Sequence, residues 1–266
     1  MANLYIHYPF CKQACHYCNF HFSTGVRGRD QMMGFIEEEL QIRASELKSP
    51  LESIYFGGGS PSLISTERIT SFISKVTNQF DTVEGMEITM EVNPDDVDED
   101  YLSRLKSAGI NRLSLGIQSF SEKDLRLMHR AHDRKEAENA LKAVTKQFEN
   151  FSLDLIYGMP DSSIGDWEES LSLALSYDPP HISAYALTVE EKTVLHHLVN
   201  KDKVTLLPEE TVKEQYDLLV ALLEQKKYIN YEFSSFGKPN FFSVNNQNYW
   251  NGKAYLGLGP SAHSFD

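Results

Sequence analysis

Over the first 188 residues, six short runs rich in apolar and β-favouring side chains alternate with longer stretches of helical periodicity. The strand-like runs are 4–8 (LYIHY), 53–58 (SIYFGG), 87–93 (EITMEVN), 112–119 (RLSLGIQS), 152–158 (SLDLIYG) and 181–188 (HISAYALT). Helical patterns follow over about 29–48, 63–79, 98–108, 121–129 with 134–148, and 163–177. Six strand-then-helix units predict a parallel sheet with crossover helices. Right-handed crossovers would curl it into an α/β fold, an open (β/α)6 partial TIM barrel.

The unusual residues fall on or just past these strands: Cys11, the run Gly57-Gly58-Gly59, Glu91, Gln118 and Asp154. In barrels of this kind, chemistry is assembled at the C-terminal ends of the strands. The first seam falls at 200–205 (NKDKVT), so residues 1–200 are expected to form the barrel and 201–266 a C-terminal extension, the incomplete start of a further module. Pro208 is placed to open a helix over about 209–227. An aromatic-rich tail follows, expected to cover the barrel mouth or to help bind a ligand.

All three cysteines lie within eight residues, as Cys11-x3-Cys15-x2-Cys18. Three thiols cannot all pair, and MANLYIHYPF lacks the basic and apolar regions of a secretory signal, so a reducing, cytoplasmic setting is expected. Two metal chemistries fit the spacing. Zinc needs four ligands, and His7, His16 or His21 would complete the set. A cubane iron–sulfur cluster held by three thiolates leaves one iron open for a ligand. With 25 Lys+Arg against 38 Asp+Glu, the net charge of −13 argues against a nucleic-acid or anionic-membrane surface. No apolar stretch approaches the roughly 18 residues of a membrane span.

The segment LYIHYPFCKQACHYCNF, with Tyr17 directly before Cys18, resembles the radical S-adenosylmethionine (SAM) superfamily. Within it, the resemblance is to the branch of oxygen-independent coproporphyrinogen III oxidase and related heme chaperones, and it runs in order through nearly the whole chain. It implies a [4Fe-4S] cluster on Cys11, Cys15 and Cys18, with SAM chelating the open iron and being cleaved reductively to methionine and a 5′-deoxyadenosyl radical. It assigns Gly58, Gly59 and Ser60 of FGGGSPS to the methionyl amine of SAM and Glu91 of the ExNP motif to its cationic end. Gln118 is assigned to the ribose or amino-acid portion, Arg130 to the carboxylate and Asp154 to ribose hydroxyls. Tyr5 and Tyr17 would pack on SAM, and Thr188 corresponds to an adenine-contacting position. Read without the resemblance, Arg130 is a helix-end cation, and Asp154 is a buried acid in need of a partner.

Two departures from the oxidase favour the heme-chaperone side. The oxidase carries a fourth cysteine where this chain has Phe20, and a long extension where only ten residues precede Cys11. The chaperone pattern His-Asn-x-x-Tyr-Trp, associated with heme, reads Asn245-Asn246-Gln247-Asn248-Tyr249-Trp250 here. A carboxamide is a poor heme ligand, so Tyr249 or His263 would have to replace Asn245, or heme would rest on Trp250 by stacking. The partners implied are a tetrapyrrole (heme or coproporphyrinogen), a heme-recipient protein and an electron donor. LGLGPSA (256–262) only partly mimics a dinucleotide-binding turn, since Pro260 removes an amide that a phosphate would need. The adjacent His196 and His197 cannot share a helix face and are expected in a surface or loop segment.

Overall fold

Leu4, Ile6, Ile54, Phe56, Met90, Leu113, Leu115, Leu153, Leu155 and Ile182 are all fully buried in a computed structural model that describes residues 1–266. They belong to six parallel strands in sequential order: β1 (Ala2–Tyr8), β2 (Leu51–Gly58), β3 (Thr82–Val92), β4 (Arg112–Gln118), β5 (Phe151–Tyr157) and β6 (His181–Ala186). Burial of both sheet faces accounts for their near-continuous apolar composition. A main core of 50 buried residues fills the space between the sheet and its helices, and a second cluster of four, Leu125, Met128, Ile156 and Met159, lies apart from it.

Those helices are α1 (Arg29–Arg43), α2 (Thr66–Gln79), α3 (Glu99–Ser107), α4 (Glu122–Leu127), α5 (Arg134–Gln147) and α6 (Ile164–Ser176). Local chemistry sets their starts. Ser65, Asp98 and Ser121 cap α2, α3 and α4, and reciprocal capping boxes pair Asp133 with Glu136 and Ser163 with Asp166. Two predicted boundaries move. The helix expected to begin at 63 starts at Thr66, because Pro61–Leu63 forms its own 3-10 turn, and α1 gives way to a 3-10 turn at Ala44–Glu46 instead of running to 48. Strand β6 ends at Ala186, which leaves Thr188 in the following loop.

The segment after β6 contains a helix that the periodicity did not indicate, α7 (Val194–Asn200), capped by Thr193. His196 and His197 therefore sit on a short helix, and His196 faces Asn200. Next comes α8 (Glu209–Gln225), then β7 (Ile229–Asn230), β8 (Ser235–Gly237), α9 (Val244–Trp250) and β9 (Tyr255–Leu258). These late strands extend the same sheet at both edges, in the order β7-β8-β6-β5-β4-β3-β2-β1-β9. β8 runs antiparallel to β6, and β9 runs parallel to β1. Because β1 and β6 each take a late strand as their outer neighbour, they do not pair with one another and the barrel stays open.

Buried polar contacts fasten the late elements to the barrel. The buried Gln215 of α8 accepts from the Gly158 amide (2.7 Å), while its carbonyl accepts from Trp167 Nε1 (3.0 Å). The buried Glu87 carboxylate of β3 receives the Val244 and Asn245 amides of the first turn of α9 at 3.1 and 3.3 Å, and Arg112 Nε lies 3.7 Å away. An acid at a helix start is favoured by the exposed amides and the helix dipole. Since Glu87→Ala would leave the Arg112 guanidinium buried without its counter-charge, the variant should lose about 3–5 kcal/mol of stability in urea unfolding. A loss below about 1 kcal/mol would show that Glu87 does not neutralise Arg112.

Candidate cofactor site

The cysteine loop leaves β1 at Tyr8 and is closed at its base by a short ladder: Cys11 N–H to Ser23 carbonyl at 2.9 Å and Ser23 N–H to Pro9 carbonyl at 2.7 Å. Its middle is tied to the end of α4. His16 donates its amide to Met128 and its Nδ1 to the Leu127 carbonyl, Gln13 donates to the His129 carbonyl, and His129 Nδ1 donates to the Ala14 carbonyl. The His16 and His129 rings stack at 4.7 Å. Lys12 spans to Asp95 at 2.9 Å and also pairs with Asp96. These imidazoles hold backbone in place, and each has committed a ring nitrogen to it.

The glycine run docks on the same loop. Gly59 N–H bonds the Tyr8 carbonyl and Ser60 N–H the Phe10 carbonyl, both at 2.7 Å. A Cβ on Gly59 would stand 2.7 Å from that Phe10 oxygen, and one on Gly58 (φ 105°) would stand 2.8 Å from the His7 ring. The glycines thus permit a close approach, as expected, and what approaches them is the base of the cysteine loop. From Ser60 a polar chain runs inward: Asn93 Nδ2 donates to Ser60 Oγ (3.0 Å), Arg130 Nη2 to Asn93 Oδ1 (2.7 Å), and Arg130 Nη1 to Cys15 Sγ (3.4 Å). Arg130 is half-buried, and its buried Nε has no partner.

One cavity of about 630 Å³ gathers Cys11, Cys15, Cys18, Tyr17, Gly58, Gly59, Ser60, Glu91, Gln118, Arg130, Asp154 and Thr188. Gln118 holds φ 66° at the end of β4, a left-handed conformation that is uncommon for a side chain of its size. Strain of this kind concentrates at ligand sites. Sequence reasoning missed several lining residues. Asn93 belongs to the same ExNP motif as Glu91, so its link to Arg130 was within reach. Tyr185 and Ser114 had no signal, since both sit in strands that read as plain core.

Burial pushes the Cys11 thiol up to about 11, against a hydrogen bond with Ser60, and it raises Cys18 as well. Thiols in this setting need a cation to become thiolates. Burial also lifts Glu91 to about 7, opposed by the Tyr55 hydroxyl (2.9 Å) and the Gly58 amide (3.2 Å) and reinforced by Asp154. Asp154 is raised by burial too, although Ser114 donates to it at 2.7 Å and Ser152 at 3.1 Å. Two buried acids facing one cavity suit a cationic ligand that also carries hydroxyl groups.

Five residues named from sequence lie elsewhere. Tyr5 does not line this cavity; its hydroxyl donates to His7 Nδ1 at 3.2 Å, beside a second cavity of about 780 Å³. Tyr249 also borders the second cavity, as does His263. Asn245 is buried in the first turn of α9 and reaches neither cavity. Trp250 is 66% exposed, lines neither, and donates Nε1 to Glu232 at 3.2 Å. The tail contributes nothing to the first cavity, whose lining ends at Glu190.

The family model described as "Radical SAM superfamily" matches residues 5–174. Among curated proteins, the chain is 34% identical to the heme chaperone HemW of Bacillus subtilis (strain 168), over all of this chain and 71% of that protein. It is 36% identical to the HemW of Synechocystis sp. (strain ATCC 27184 / PCC 6803 / Kazusa), over 98% of this chain and 65% of that one. The chain belongs to the HemW family of the radical SAM superfamily. It thus spans about two thirds of the length of these HemW relatives. Coproporphyrinogen III oxidase (HemN) from Escherichia coli, described as a radical SAM enzyme, superposes with a TM-score of 0.83 at 23% identity, covering 99% of this chain and 64% of that one. That likeness establishes the open α/β barrel.

Membership brings the superfamily's cofactors, a [4Fe-4S] cluster and SAM, and the donor set fits them. No three His, Cys, Asp or Glu side chains converge on a point that could hold a single metal ion. Each thiolate of a cubane binds a different iron, so its cysteines ring a cavity, as Cys11, Cys15 and Cys18 do. The mononuclear zinc alternative also loses His7, whose two nitrogens bond Tyr5 and the His21 carbonyl, and His16 is tied to Leu127.

Glu91 generates a pH prediction. Its folded value of about 7 exceeds its ordinary 4.5, so between those values the folded chain holds a proton that the unfolded chain has released. Stability from this group is complete below pH 4.5 and is lost as pH rises through 7, by about 3 kcal/mol in all. Metal-free Glu91→Gln should therefore gain stability over the parent at pH 8 but not at pH 4.5 in urea titrations. Equal differences at both pH values would show that Glu91 ionises normally.

Proposed function

We propose that the protein is a radical-SAM-type heme chaperone, which holds heme and passes it to a recipient protein. The observation that carries this reading is the likeness of the whole chain to proteins named heme chaperone HemW, at 34% and 36% identity. Phe20 supports it: this side chain, at the position of the oxidase's fourth cysteine, is 68% exposed and lines both cavities.

Cys11, Cys15 and Cys18 hold the cluster. When bound, cluster and SAM supply one-electron reductive chemistry at the sulfonium, which needs an electron donor. The protein's own part is electrostatic. Ionised Glu91 and Asp154 stabilise the cationic ligand, Arg130 and its Nε take the carboxylate, and the Gly58–Ser60 backbone fixes the position of both against the cysteine loop. Gln118, Tyr17 and Thr188 complete the SAM pocket. The buried setting keeps water from the sulfonium. Reduced, unpaired thiols suit a cytoplasmic location; no helix is long and apolar enough to cross a membrane.

Anaerobic reconstitution with iron and sulfide, followed by low-temperature EPR of the reduced protein, should show a [4Fe-4S] signal that shifts on adding SAM. Cys15→Ala should lose that signal while retaining its circular dichroism spectrum. Hemin should then titrate to a saturable Soret band, with coproporphyrinogen III left unconverted in the presence of SAM and reductant. Turnover of coproporphyrinogen would establish the oxidase instead.

A further inference from the structure

The second cavity shares only Asn19, Phe20 and Phe22 with the first, and the rest of its lining is unusual. Two walls meet there: the far end of the cysteine loop, with Phe20, His21 and Phe22, and the tail, with Tyr249, Tyr255 and His263. At about 780 Å³ it falls within the roughly 300–1,000 Å³ typical of small-molecule sites. Aromatic edges on both walls suit a flat conjugated ligand. Phe20 is 68% and Tyr249 39% exposed, so a molecule lodged between them would keep an edge open to solvent, as transfer to a recipient requires.

The imidazoles differ in what they are free to do. His7 donates Nε2 to the His21 carbonyl at 2.8 Å and accepts the Tyr5 hydroxyl on Nδ1, so both nitrogens are occupied and one of them holds the His21 backbone. The imidazoles of His21 and His263 form no hydrogen bond within the protein and both border the cavity, His21 from the cysteine loop and His263 from the tail. The backbone behind His263 is fixed as well: a Cβ on Gly257 would collide with the His263 carbonyl, and Ser264 Oγ accepts from the Gly257 amide and from Arg43. Two uncommitted imidazoles on anchored backbone are suitable donors to a heme iron. The Tyr249 phenol, pushed up to about 12 chiefly by burial, resists the ionised form that an iron would need.

We propose that this second cavity is the heme site, with the macrocycle between the cysteine loop and the tail and its iron bound by His21 and His263. The inference rests on the heme-chaperone reading and moves the ligands away from the 245–250 motif. That motif contributes only Tyr249, as a wall.

The test is an anaerobic hemin titration of the cluster-reconstituted full chain, followed through the Soret and visible bands, for the parent, His21→Ala, His263→Ala, the double variant and Asn245→Ala. The parent should saturate at one equivalent with the low-spin spectrum of two imidazole ligands. Each single variant should lose that spectrum and weaken by at least about tenfold, the double variant should lose saturable binding, and Asn245→Ala should match the parent. Cluster absorbance serves as the folding control and should be equal in all five. If the double variant keeps parental affinity and spectrum, heme sits elsewhere and this inference falls while the chaperone reading stands. If the parent itself shows no saturable binding, both fall.

Discussion

Two hydrogen bonds of 2.7 Å, from the Gly59 and Ser60 amides to the Tyr8 and Phe10 carbonyls, lock the loop after β2 onto the loop after β1. The parallel β1–β2 pairing brings the two loops side by side, since Tyr8 lies opposite Gly58 in register. Only glycine tolerates the separation, because a Cβ at 59 would enter the space of the Phe10 oxygen. From this junction the rest of the site is positioned. Ser60 anchors Asn93, Asn93 anchors Arg130, and Arg130 reaches Cys15. A residue inserted anywhere along that chain would misplace the three thiols relative to the buried acids.

The cavity so formed is electrostatically incomplete without its ligands. Burial raises two thiols and two carboxylic acids, Cys11, Cys18, Glu91 and Asp154, toward their neutral forms. In the proposed assignment, iron would offset the first pair and a sulfonium with its ammonium the second, returning these groups to the charged states that the fold disfavours. The long cysteine loop gains its order differently, through imidazoles donating to carbonyls across to the end of α4. Asn19, Phe20 and Phe22 then line both cavities, which makes the far end of this loop a surface common to the cofactor site and to the proposed heme site.

The strand–helix alternation and the strand-end position of the chemistry were legible because both depend on local pattern. β-branched and apolar runs favour strands, capping residues start helices, and a parallel sheet sends every loop after a strand to one rim. For the same reason Cys11, Gly58, Glu91, Gln118, Arg130 and Asp154 meet as expected. Local pattern failed where contacts between distant segments decide. The two-residue β7 and three-residue β8 are too short to carry a period, and α7 has a mixed composition. The 245–250 motif reads as a ligand-binding segment, yet Asn245 turns inward because Glu87, 158 residues earlier, holds the start of α9. Tyr5 shares the sheet face of Tyr55 and Glu91, its ring 6.0 Å from that of Tyr55, but its hydroxyl is taken up by His7 and it stops short of the first cavity.

The sequence by itself determined the open α/β barrel, the gathering of three cysteines in one loop and the strand-end acids around it, since each follows from spacing within one segment or from strand direction, while iron rather than zinc came from the family resemblance. Only the tertiary structure decided that the tail joins both edges of the sheet, that His7 and His16 serve backbone instead of metal, and that His21 and His263 face one cavity. Those outcomes depend on which segments the fold brings together: His16 meets a carbonyl 111 residues along the chain, and His21 and His263 share a cavity from its two ends, so no local pattern records the pairing.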